Sequence, residues 1–227
     1  MSKIAFTDID GTLIRDYACV DFVAYLLSKG DLDCKYYRKC HDLMGRFQNN
    51  EINYEDWVNK SIVMWGEMIE GKEENMINER SKEFFENIKC KIFPYSRELV
   101  KYLHHNGYKV IGIGAGPAEV IEPIGKYLEL DAFSGTVSET ENGLYTGKIK
   151  STIHNNGGKT GIVESMLTDN VEKSIGIGDT IHDRPLLESV DVPIALNPKD
   201  GLKKVCYEMG WNVATDKDIM HRIKKLI

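Results

Sequence analysis

Apolar positions along this chain follow two different periods. At the start, residues 3–7 form a short apolar run that ends abruptly in Asp8-Ile9-Asp10-Gly11-Thr12-Leu13, which reads as a buried strand entering an acidic turn. From about residue 16 to 91 there is no Pro, and apolar residues recur three and four apart, as in Phe22, Val23, Leu26, Leu27 and again in Trp57, Val58, Ile62, Trp65. That spacing puts each set on one face of a helix, so this block is predicted to be helical throughout.

Beyond Pro94 the signals alternate. Ser96 is expected to cap a helix that ends near Asn106-Gly107, residues 108–113 form a buried-strand run, and Gly114-Ala115-Gly116-Pro117 leads into a second helix reaching about Leu130. Glu141-Asn142-Gly143 predicts a hairpin over 133–149. A helix from about Gly158, a strand at 174–177, a helix through Leu186-Leu187, a strand at 192–196 and two last helices around a strand at 211–213 complete the series. Strands alternating with helices predict an α/β fold. It is a doubly wound, Rossmann-like parallel sheet core over 1–15 and 92–227, with an inserted all-helical cap domain over 16–91, on the edge where open sheets bind ligands.

Composition narrows the function classes. The 227 residues carry 29 Lys+Arg against 35 Asp+Glu, a formal net charge of −6, with 42 % hydrophobic residues, as in an ordinary globular chain. No long basic run exists, which argues against nucleic acid as a partner. No stretch approaches the roughly 20 apolar residues of a membrane span, and no signal peptide is visible, so a cytoplasmic protein is expected, as a monomer or homodimer. Five cysteines without a Cys-x-x-Cys pair indicate neither a disulfide framework nor a thiolate zinc site.

Candidate chemistry lies in two acidic groups, each after a strand: Asp8 and Asp10, and Asp179 and Asp183 in Gly178-Asp179-Thr180-Ile181-His182-Asp183. An isolated Asp-x-Asp-Gly is as often an Asx-turn or helix cap as anything catalytic. Two such groups at the ends of parallel strands open on one edge, where four like charges raise one another's pKa values unless a cation compensates them. Hard oxygen donors suit Mg²⁺. An EF-hand fails at Asp8–Gly11, because Cys19 stands where its Glu belongs. Lys159, in Asn156-Gly157-Gly158-Lys159-Thr160 at a helix start, is a candidate phosphate ligand, although the remainder of a P-loop is missing. The glycines of 112–116 do not complete a dinucleotide fingerprint, since Pro117 and Glu119 occupy the required glycine positions.

In order and spacing, these motifs resemble the haloacid dehalogenase superfamily, and more closely its phosphoserine-phosphatase-like subfamily, whose helical cap follows the first motif. The similarity extends over essentially the whole chain, including Tyr145-Thr146-Gly147-Lys148-Ile149 and Gly210-Trp211-Asn212-Val213. The resemblance implies a Mg²⁺-dependent phosphomonoester phosphatase acting on a small phosphorylated metabolite. Asp8 would be the nucleophile that forms an aspartyl-phosphate, Asp10 the acid and base, and Thr12 would orient Asp10. Asp8, the Asp10 carbonyl, Asp179 and Asp183 would hold the metal, and Lys159 would complete charge neutralisation. A phosphotransferase or phosphomutase with the same intermediate, and a phosphometabolite-binding protein with weakened turnover, stand beside this reading.

The chain departs from the family pattern at two places. Where a Ser or Thr binds the transferring phosphate, this sequence has Gly114, and loss of such a hydrogen bond, about 1.5–3 kcal/mol, costs on the order of 10- to 100-fold in rate. The Ala115 amide remains available to the phosphate, and restoring Ser at 114 is expected to raise turnover. The positions that bind the substrate amine and carboxylate in phosphoserine phosphatases fall on Tyr17 and Ser61, which argues against phosphoserine as substrate. The segment between Tyr17 and Tyr95 holds 13 of the chain's 21 Phe, Trp and Tyr. They could favour an apolar or ring-bearing ester, but their use as the bundle's own core is the stronger reading.

Overall fold

Seven strands form one sheet in the order β4-β3-β2-β1-β5-β6-β7 in the computed structural model, which describes residues 2–153, 158–168 and 170–227. Strand β1 (Ser2–Asp8) is followed by four helices, α1 (Ala18–Ser28), α2 (Lys35–Gln48), α3 (Tyr54–Ile69) and α4 (Glu74–Ile88). Then come α5 (Pro94–His105), β2 (Tyr108–Pro117), α6 (Ala118–Leu128), the hairpin strands β3 (Ala132–Glu141) and β4 (Leu144–Ser151), α7 (Gly158–Met166) and β5 (Val171–Gly178). The chain closes with α8 (Arg184–Glu188), β6 (Val192–Leu196), α9 (Asp200–Met209), β7 (Asn212–Ala214) and α10 (Ile219–Leu226).

All neighbours pair in parallel except β3 and β4. The central strands are apolar without a break because helices cover both faces. Ala5 and Ile175 belong to one core, while Phe6 and Ile113 belong to the other with Val163, Leu186 and Leu202. Asn142 and Gly143 both take left-handed backbone angles, φ 52° and 79°, which a two-residue hairpin turn needs to match the strand twist.

Two local readings need correction. Ser96 is not a cap: Pro94 opens α5 in its first turn, and the buried Ser96 hydroxyl donates to the Leu13 carbonyl at 2.8 Å, tying the helix to the chain leaving β1. Strand β2 runs to Pro117, four residues beyond the predicted Ile113, and Pro117 precedes α6.

The four-helix segment leaves and rejoins the sheet side by side. The Arg15 amide donates to Lys91 and the Phe93 amide to Leu13, with Ile14 bridged to Ile92. One flank of the segment is anchored on the hairpin, where the Trp65 indole donates to Ser138 at 3.2 Å and the Gly71 amide to Tyr145 at 2.8 Å. Pro123 lies inside α6 and lacks the N–H that would serve the Glu119 carbonyl. The Ser81 hydroxyl of α4 donates to that carbonyl instead, so the helix defect becomes a contact between segment and sheet. No helix among the described residues is long and apolar enough to cross a membrane.

Candidate active site

Asp8 is the last residue of β1, and Asp179 follows β5 directly. Because β1 and β5 are parallel neighbours, both acidic turns open on the same edge. Gly11 has φ +88°, and a Cβ there would lie 2.5 Å from Asp179 Oδ2, so only glycine lets the first turn come this close to the second. Asp8, Asp179 and Asp183 each present a carboxylate oxygen within 4.8 Å of the others, and all three are buried.

Each carboxylate is held. The amides of Asp179 and Thr180 donate to Asp183 Oδ2 at 3.0 and 2.9 Å, and the Thr180 hydroxyl adds a third bond at 3.1 Å. Lys159 Nζ, in the first turn of α7, lies 2.5 Å from Asp183 Oδ1 and also pairs with Asp8 Oδ1. The Asn156-Gly157 part of its motif lies outside the described residues. The Ala18 amide, at the start of α1, donates to Asp10 Oδ1 at 3.0 Å. Thr12 does not orient Asp10, as had been expected. It is fully buried, and its hydroxyl points the other way to Asp179 Oδ1 at 3.4 Å, while its carbonyl accepts from Tyr95 at 2.6 Å.

Burial sets the charge states. It drives the Asp8 carboxyl well above the ordinary carboxylate range, helped by Asp183 and Asp179 and opposed by Lys159. Burial raises Asp10 to about 6, and raises Asp179 against the pull of Lys199. Asp183 goes the other way. Burial opposes its ionisation too, but the Lys159 ammonium and the surrounding donors outweigh that and hold it below the ordinary value. In turn, burial alone would lower Lys159, and Asp183 and Asp8 keep it above its ordinary value. Four carboxyl groups therefore face only two ammonium groups, a set of hard oxygen donors short of positive charge. This set fits a divalent cation such as Mg²⁺.

Asp8, Asp10, Asp179, Asp183, Lys159, Tyr17 and Ala115 line one cavity of about 280 Å³ beneath the helical segment. Gly114 does not face it. A Cβ at that position would meet Ile121 Cδ1 at 2.9 Å and Ile9 Cδ1 at 3.4 Å, so a serine there would enter the core. Alternation along β2 instead turns residue 115 to the cavity, and it is Ala115 that occupies the place open to a hydroxyl. The expectation for Ser at 114 is thereby overturned.

Two contacts at the cavity edge escaped the sequence reading. Lys199, three residues beyond β6, places its Nζ 3.2 Å from Asp179 Oδ2 and 5.9 Å from the centre of the Tyr17 ring. The available signal was its position after the next parallel strand, on the same edge. The His182 ring, in the turn after β5, stacks on Tyr54 of α3, with centroids 3.6 Å apart and planes 13° from parallel, joining that turn to the helical segment.

The acidic cluster and the buried lysine thus lie at the edge of an α/β sheet, under helices inserted after its first strand. The family model described as haloacid dehalogenase-like hydrolase matches residues 5–188, and the chain belongs to that family. It is 26 % identical to phosphoserine phosphatase SerB1 of Mycobacterium tuberculosis, over 94 % of this chain and 70 % of that protein. It is 28 % identical to histidinol-phosphatase of Neisseria meningitidis, over 96 % of this chain and all of that protein. The solved structure of a phospho-aspartyl intermediate analogue of phosphoserine phosphatase shares the fold, with a TM-score of 0.71 at 17 % identity over 100 % of this chain and 99 % of that one.

Proposed function

We propose that this enzyme, a phosphoric monoester hydrolase by class, is a Mg²⁺-dependent phosphatase that passes the phosphoryl group of a small metabolite through Asp8. The observation that carries the reading is the convergence of Asp8, Asp10, Lys159, Asp179 and Asp183 at one end of one cavity.

In this reading an Asp8 carboxylate oxygen attacks phosphorus, and the bond from phosphorus to the ester oxygen breaks as the new one forms. Asp10, raised by burial to about 6, gives its proton to the departing oxygen. The same carboxylate then takes a proton from water, whose oxygen attacks phosphorus and releases phosphate and Asp8. The Ala18 amide fixes Asp10 at the turn into the helical segment, within reach of the leaving group without competing for phosphorus. Asp8, the Asp10 carbonyl, Asp179 and Asp183 would hold Mg²⁺, which when bound neutralises charge between nucleophile and phosphoryl oxygens. Lys159 supplies fixed positive charge at the same place. Segment 16–91 acts as the cap that shields the reaction from bulk water.

The test is a panel of small phosphomonoesters assayed with Mg²⁺, with EDTA, and with Asp8→Asn. Hydrolysis is expected only with intact Asp8 and metal. Turnover that survives both EDTA and the substitution would overturn the mechanism.

A further inference from the structure

We infer that the substrate's leaving group is an uncharged, apolar alcohol, a ring or short hydrocarbon chain, and not an amino acid. This rests on the phosphatase reading above.

Away from the carboxylates, the cavity walls come from α1, α2 and α3 and consist largely of Val23, Leu27, Met44, Trp57, Ile62 and Met64. Val23, Leu27, Met44, Ile62 and Met64 are only half-buried, and they line this space. Among the described residues, every Asp, Glu, Lys and Arg in the lining belongs to the phosphoryl end: Asp8, Asp10, Lys159, Asp179 and Asp183. The polar groups of the helical walls are neutral ones: Ser61, the Tyr54 hydroxyl, the Trp57 indole and, toward the outside, Tyr37 and His41.

A substrate ammonium or carboxylate would thus be desolvated there without an opposite charge. An apolar group loses nothing polar and gains burial against both sides of the chamber. Size gives a second limit. A dry apolar cavity of about 150 Å³ admits one benzene ring, and here about 280 Å³ must also take the phosphoryl group. That leaves space for one ring or a chain of similar bulk, and the unbranched methionines let the walls follow either shape.

The test is binding of a series of alkylphosphonates, methyl to octyl, to the full chain with Mg²⁺ by calorimetry. Affinity is expected to rise about fourfold per methylene until the chamber is filled, and a flat series overturns the inference. Ile62→Lys is expected to flatten the rise, and Met64→Gln serves the same purpose where the lysine variant fails to fold. A slope unchanged in a folded variant overturns the assignment of these walls. In turnover, hexyl or benzyl phosphate should exceed phosphoserine and glycerol phosphate by at least about tenfold in kcat/KM. Acetyl phosphate probes the phosphoryl end alone. Its hydrolysis without any preference among the esters overturns the inference and leaves the phosphatase reading intact. Chain-length-dependent binding with no hydrolysis of any phosphate overturns the phosphatase reading and upholds the chamber.

Discussion

At the sheet end of the cavity, Asp183 accepts three donors on one oxygen and Lys159 on the other, so the group has no freedom left. At the helical end, Val23, Met44 and Ile62 line the same space only half-buried with apolar side chains, and Met64 accepts only the long 4.0 Å contact from the Cys40 thiol. Displacing a charge by an ångström in a low-dielectric site costs far more than displacing a methyl group. The phosphoryl end is therefore rigid, and the leaving-group end is adaptable. Chemistry and selectivity are consequently separable in this enzyme, and substitutions at one end should leave a different signature from those at the other.

The largest effect is expected from Asp8→Asn, which removes the proposed nucleophile. Turnover of every substrate should fall on the order of 10⁴-fold or more, and a loss confined to some substrates would contradict a shared phosphoryl end. Asp10→Asn should cost about 10²- to 10⁴-fold for alkyl esters, and much less for acetyl phosphate, whose leaving group needs no proton. The same logic sets a pH signature. The acid form of Asp10 exists below its raised value of about 6 and is lost above it. For alkyl esters kcat/KM should therefore decline as pH rises past 6, and this limb should vanish with acetyl phosphate.

Lys159→Met leaves Asp8 and Asp183 buried without their shared partner. It should lower stability by about 3–5 kcal/mol, read as a fall in Tm that added Mg²⁺ partly reverses. A smaller pair of changes tests the two faces of β2. Gly114→Ser drives a side chain onto Ile121 and should destabilise by about 1–3 kcal/mol without raising turnover. Ala115→Ser adds a hydroxyl on the cavity side and should raise turnover, by as much as about 10-fold. The smallest effect belongs to the link between the two ends. Tyr54→Ala removes the stack on His182, worth about 0.5–1.5 kcal/mol, and should show as a modest rise in KM.

Much of the rigid end was readable in the chain. An apolar run meeting Asp-x-Asp, and another meeting Gly-Asp with a second Asp four residues on, locate strand ends. Parallel pairing then brings those ends together without further information. Lys159 was readable for a similar reason, as the first turn of a helix. The misreadings have equally local causes. The resemblance pointed to Gly114, but a side chain there would meet Ile121 and Ile9 while the adjacent Ala115 lines the cavity, and the irregular register of β2 between Ile113 and Pro117 leaves no trace in the spacing of the chain. The resemblance directed the Thr12 hydroxyl to Asp10, and the fold delivers it to Asp179.

The adaptable end was not readable. Helical periodicity shows which residues share a face, but a face turned to a core and one turned to a cavity have the same period and the same composition. Phe22 and Phe84 pack together as core, while Tyr17 and Tyr54, drawn from the same aromatic-rich segment, line the cavity. The sequence alone determined where strands end in carboxylates, because that is decided by neighbours along the chain. Only the tertiary structure decided which side of β2 meets the cavity and which apolar side chains line it, because register and helix placement depend on contacts between distant segments.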